Sequence, residues 1–194
     1  MVIAICIAAV VFGVFLVRKL RLGKYSDVSD ISSLLTFLVA MAAVGVAYNQ
    51  LNESRVAAAK SIYREYLSTA LSHPKFSAAS YPFNAPEFNS FKVGADLEQY
   101  ENYVAYLIFS AEEVLEVDDL RAQRGWCETI RDQFKYHALY LNSPMANAMQ
   151  YSGVVDKLVR EGINMYLLEK EINASNGSPA AEIMLEKLRS DCQP

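Results

Sequence analysis

The chain reads as all-α: an N-terminal transmembrane helical hairpin followed by a water-facing bundle of four or five helices. Three observations predict this. Residues 1–17 and 31–51 carry no charged side chain and are dominated by apolar ones. Beyond them, apolar residues recur at alternating steps of three and four, the spacing of one helical face. No stretch shows the period-two alternation of a half-buried strand.

The hairpin comes first, over residues 1–51, with helices at about 1–20 and 31–51 joined by a basic loop at 18–30. At 1.5 Å per residue the two charge-free runs make helices of about 26 and 31 Å, against a hydrocarbon core of about 30 Å. Arg18 and Lys19 reach for the headgroups, with Arg21 and Lys24 close behind. A cleaved signal peptide would carry positive charge before the apolar stretch, whereas here it follows, so the first run is expected to stay as an anchor. Ala9-x-x-x-Gly13 and Ala43-x-x-x-Ala47 are small-xxx-small spacings that let helices approach closely, within the hairpin or between copies. Four basic residues in the loop favour its cytoplasmic placement, which puts the large domain on the non-cytoplasmic side. Asp27 and Asp30 before the second run, and Arg55, Lys60 and Arg64 after it, pull the other way.

The water-facing domain covers residues 52–194. No Pro or Gly interrupts 47–72, so the second membrane helix is expected to continue into this domain. Val56, Ala59, Tyr63, Tyr66 and Ala70 form its apolar face. It should stop near Ser72, because Pro74 disfavours helical geometry at His73. Residues 72–95 hold three prolines among Phe76, Tyr81, Phe83, Phe88 and Phe91, which predicts an ordered loop with its rings laid into grooves of the bundle. A second soluble helix is predicted over 96–117, with Leu97, Tyr100, Val104, Leu107, Ala111 and Leu115 facing the core. A third is predicted over about 121–142, where Trp126, Ile130, Phe134, His137 and Leu141 share a face. A fourth begins near Tyr151, and Pro179 opens a short last helix to about Ser190.

Charge divides at the same place as hydropathy. Through Gln50 there are four basic and two acidic residues (+2), and from Leu51 onward 14 basic and 20 acidic (−6), for a net −4. An acidic domain without a basic stripe argues against nucleic acid as a partner. Among the three cysteines no spacing suggests zinc, and Cys127 and Cys192 can pair only in an oxidising compartment.

Three blocks carry a resemblance. They are Tyr63-Arg-Glu-Tyr-Leu67 with His73-Pro-Lys-Phe76, then Tyr100-Glu-Asn-Tyr-Val104 with Ala111-Glu-Glu-Val-Leu-Glu116, and finally Trp126 with His137-Ala-Leu-Tyr-Leu141 and Tyr151-Ser152. Together they resemble a group of uncharacterised bacterial membrane-anchored helical proteins. The resemblance implies a helical fold, a bacterial source and an inner-membrane address, and it brings no activity.

Candidate chemistry is sparse. His137 falls on the apolar face of the third helix, and Glu112 and Glu116 lie one turn apart on the second. Were those faces to meet, a Glu-Glu-His cluster could bind a metal or hold a proton; otherwise His137 is a core histidine hydrogen-bonded to a neighbouring helix. Di-iron bundles use two Glu-x-x-His motifs, and this chain has none. His73 reads as a helix-terminal histidine. No nucleophile elbow or phosphate-cradling loop occurs, so neither a catalytic residue nor a cofactor is assigned. The twelve tyrosines allow two readings. Tyr63, Tyr66, Tyr103 and Tyr106, with Phe83 and Phe88, either pack the bundle or form an aromatic partner surface.

The reading that fits these residues is a membrane-tethered helical interaction or regulatory module, non-enzymatic, whose partners are the lipid bilayer and a protein or a second copy. One alternative is a metal-dependent or otherwise enzymatic bundle centred on Glu112, Glu116 and His137. Another is a small oligomeric membrane effector.

Overall fold

The computed structural model describes residues 28–91, 93–146, 151–174 and 178–192. The predicted first membrane helix, with Ala9 and Gly13, and the loop residues Arg18, Lys19, Arg21 and Lys24 lie outside the described residues. Within them all regular structure is helical. The chain falls into two units, Met1–Arg55 and Val56–Pro194.

In the first unit the described structure is the early part of helix α1, Val28–Ser72. Among the described residues this is one helix long and apolar enough to cross a membrane, and none of its apolar window is buried. Leu35, Phe37, Val39, Val44 and Val46 are each more than half exposed. The core helix of a water-soluble domain would hide such side chains. Ala43 and Ala47 are exposed as well; the helix expected to pair with them is outside the described residues, so a hairpin is not shown.

The second unit starts with the remainder of α1, which turns Ala59, Tyr63 and Tyr66 inward. The helix ends at Ser72, one residue before His73-Pro74, where proline forces the preceding residue out of helical geometry. Two single turns follow, α2 at Pro74–Ser77 and α3 at Phe88–Phe91. Phe76 and Phe88 are buried from these turns. Gly94, at φ 84°, is the N-cap of α4, Ala95–Glu116; an L side chain there would be strained. Asp96 and Glu98 sit in its first turn, where negative charge complements the helix dipole.

A single turn, α5 at Asp118–Arg121, comes first, and the predicted helix over about 121–142 is in fact two pieces: α6 at Arg124–Tyr136 and α7 at Ala138–Leu141. No Pro or Gly marks the break at His137. A residue from the aromatic loop accompanies it instead. Ser80, wholly buried, donates its N–H to the Tyr136 carbonyl at 2.9 Å, and its hydroxyl oxygen accepts from the Leu139 N–H at 3.0 Å. Ser80 thereby satisfies backbone groups that an unbroken helix would have paired internally.

Helix α8, Gly153–Ala174, packs most extensively against α6. The two backbones meet at Gly162, where a Cβ would lie 2.9 Å from the Arg131 oxygen, the Lys135 nitrogen and the Phe134 Cβ. Helix α9, Pro179–Ser190, has proline in its first turn and Ser178 as N-cap, the hydroxyl accepting from the Ala181 N–H at 3.4 Å. It lies on α8 and buries only Ala181 and Leu185. Much of its attachment comes from other bonds. A Cys127–Cys192 disulfide, Cα–Cα 5.9 Å, joins the chain two residues past its end to α6. The Arg131 guanidinium donates to the Leu188 carbonyl, and Arg189 reaches Glu169 at 3.4 Å.

Candidate functional site

The middle of the second unit is aromatic and polar at once. Helix α4 carries tyrosines at 100, 103 and 106, spaced by three so that successive rings stay on one side. Tyr100 and Tyr103 are buried and meet Tyr66 from α1, Phe76 from α2 and His137 at the end of α6. Each polar tip in such a place needs a partner. Tyr66 donates to the Gln133 side-chain oxygen at 2.8 Å, which leaves Tyr103 to donate to the Tyr66 hydroxyl at 3.1 Å. Tyr100 Oη lies 2.9 Å from His137 Nδ1.

His137 is fully enclosed, and its Nε2 has no hydrogen-bond partner among the described residues. Burial penalises the imidazolium and pushes its pKa down to about 3, so the ring is neutral at any physiological pH. The same desolvation raises the Tyr100 phenol well above its ordinary value, with Tyr103 and Tyr140 adding to the rise.

The residues expected to join His137 go elsewhere. Glu112 accepts the Ser152 N–H at 2.9 Å and so holds the start of α8. Glu116 is exposed at the end of α4. Among the described residues no three His, Cys, Asp or Glu side chains come together as a metal site. The Glu112–Glu116–His137 cluster therefore does not form: His137 takes a tyrosine instead of a carboxylate. His73, exposed, donates Nδ1–H to the Thr69 carbonyl at 3.2 Å and stacks on Phe76.

The aromatic partner surface is also redrawn. Tyr63, Tyr66, Phe88 and Tyr103 are at most 6% exposed and belong to the core. Phe83 and Tyr106 keep part of their rings at the surface. Tyr106 borders a shallow depression of about 340 Å³, floored by Phe76 and Tyr103 and rimmed by Thr69, His73, Gln99 and Asn102. A second groove, of about 460 Å³, runs between α8 and α9 past Leu167, Leu168, Met184 and Leu188.

Sequence reasoning did not find Gln133, Ser80 or Gly162. Gln133 lies among charged residues on α6 and gives no signal. Ser80 acts on backbone far along the chain. A glycine inside a helical pattern is a recognised sign of close packing, and Gly162 was the one of the three open to that inference. Comparison with family models, curated proteins and solved structures gives no match for this chain.

Proposed function

We propose that this protein is a membrane-tethered helical interaction or regulatory module. The observation that carries the reading is the exposed apolar length of α1 in a chain whose second unit is an acidic, well-packed helical domain. A long apolar surface that none of the described residues covers has a natural partner in lipid. The enzymatic alternative loses the residues it was built on, since Glu112 and Glu116 are not beside His137.

The address we infer is the bacterial inner membrane, crossed twice, with the helical domain on the non-cytoplasmic side. The basic residues between the two apolar runs support that orientation. So does the Cys127–Cys192 disulfide, because such bonds persist outside the reducing cytoplasm. The face offered to a protein partner is the depression beside Tyr106. Its aromatic floor and uncharged polar rim have the composition of binding hot spots.

Two measurements test this together. Full-length protein made in bacterial cells should stay with the membrane pellet after an alkaline wash. A photo-crosslinking amino acid at Tyr106 should capture a discrete partner band that the same probe at Glu186, on α9, does not. Recovery in the supernatant would defeat the tether, and equal labelling from both positions would defeat the assigned face.

A further inference from the structure

Helix α9 is seated less by its own side chains than by groups that reach it from α6 and α8. Ala181, Leu185 and Leu188 recur at steps of four and three, one face of the helix, and only the first two are buried. Arginines hold the last turn. Arg131, 2% exposed, donates to the Leu188 carbonyl, and Arg124 donates to the Arg189 carbonyl at 3.3 Å. Those carbonyls have no partner within their own helix, and the helix dipole favours cations at that end. Arg124, Cys127 and Arg131 follow at steps of three and four, so one face of α6 carries both guanidinium groups and the thiol that bonds Cys192. That face is a receptor for the end of a helix.

The seat and the helix need each other. A helix of 12 residues is marginal in water on its own. With α9 gone, wholly buried Cys127 loses its cover and Arg131 loses the carbonyl it holds. Until the disulfide exists, little keeps the two together. Two side chains are buried, and the Arg189–Glu169 pair, with Arg189 half exposed, is a weak one. These contacts all run from α9 or Cys192 to α6 or α8, and residues 175–178 are the connection from α8 to α9. None of them depends on which copy of the chain supplies α9. Exchange of an identical element between copies keeps every such contact, and is a low-cost route to a dimer.

We propose that this seat is also the docking site for α9 of a second copy, and that thiol chemistry decides which copy fills it. While Cys127 and Cys192 are thiols, α9 opens and closes, and two open copies exchange it. Bond formation then traps either arrangement: Cys127–Cys192 within one chain, or two such bonds across a symmetric dimer. Each bond takes two electrons and two protons from a pair of thiols, and a disulfide oxidant receives them and becomes a dithiol. A dithiol reductant reverses the step. Its thiolate attacks one sulfur, the other cysteine leaves as thiolate, and the second thiol of the reductant resolves the mixed disulfide. The surface is separate from the depression beside Tyr106, and its failure would leave that assignment standing.

The test mixes two full-length chains in detergent micelles, both carrying Cys6→Ala so that no third thiol competes. One carries Cys127→Ser and keeps Cys192; the other carries Cys192→Ser and keeps Cys127. Neither can close a bond of its own. On oxidation with diamide a disulfide-linked pair, one copy of each, is expected, and peptide mapping should place the bond between Cys127 and Cys192. Adding Leu185→Asp to the chain that keeps Cys192 puts a charge on the buried face of α9 and should lower the yield roughly tenfold or more. The proposal is overturned if folded chains give no linked pair, or if Leu185→Asp leaves the yield unchanged, the mark of random collision. Circular dichroism establishes folding. Should a single-cysteine variant fail to fold, two differently tagged chains with both cysteines, reduced together and reoxidised, decide alone. Linked pairs carrying both tags and Cys127–Cys192 bonds support the exchange, and monomers alone overturn it.

Discussion

His137 occupies a place where an imidazolium has no solvation, and its protonation is therefore tied to folding. In the unfolded chain it titrates near 6.5, and in the fold near 3. Between those values the unfolded state binds a proton that the folded state refuses. The contribution of neutral His137 is thus fully present above pH 6.5 and drains away as pH falls toward 3, below which both states are protonated. At about 1.4 kcal/mol per pH unit, the whole swing is of order 5 kcal/mol. Thermal melts of parent and His137→Gln across pH 7.5 to 3.5 should therefore converge or cross, the variant losing less stability on acidification. Parallel curves would contradict the buried, neutral assignment. Gly162 is the second residue whose identity is dictated. Adding one methyl in Gly162→Ala forces α6 from α8 and should cost about 1–3 kcal/mol in chemical denaturation, as overpacking does. The apolar spacing of 126, 130, 134, 137 and 141 was enough to place His137 indoors. Its partner was not legible, because helical spacing says which residues share a face and nothing of which face opposes them.

Among the elements, the interrupted third helix departs most from expectation. The class and rough extent of α4, α8 and α9 follow from local features: apolar spacing and, for α9, proline at the first turn. The break between α6 and α7 has no such local cause. Apolar spacing puts Ala138 to Leu141 in one continuous helix, whereas Ser80, from a loop nearly sixty positions upstream, pairs with backbone on both sides of the interruption. Ser80→Ala would leave the part-buried Leu139 N–H without its acceptor, a loss of about 1 kcal/mol. Hydrogen exchange should rise first at Leu139 and its neighbours in α7; exchange unchanged there would mean that the serine merely fills space.

At the scale of the whole molecule, two features govern behaviour: the exposed apolar run of α1 and the covalent closure at Cys127–Cys192. The first was legible directly, since charge-free sequence of that length has few other uses. The second was legible only as a conditional, because nothing in a sequence brings two cysteines within bonding distance. Replacing both by serine should lower stability by roughly 2–5 kcal/mol. The loss should fall mainly on α9, which buries two side chains of its own. Protease mapping of the double variant should find cuts in α9 before α4; protection equal to the parent would show that the helix holds without its bond.

The same bond has a topological consequence. It closes the 65-residue span from α6 to the end of α9 into a loop. A single cut between α8 and α9 therefore leaves one molecule by mass, and the severed piece departs only when a reductant is added. Partial digestion run in parallel with and without thiol would display this as a band that splits in one lane alone.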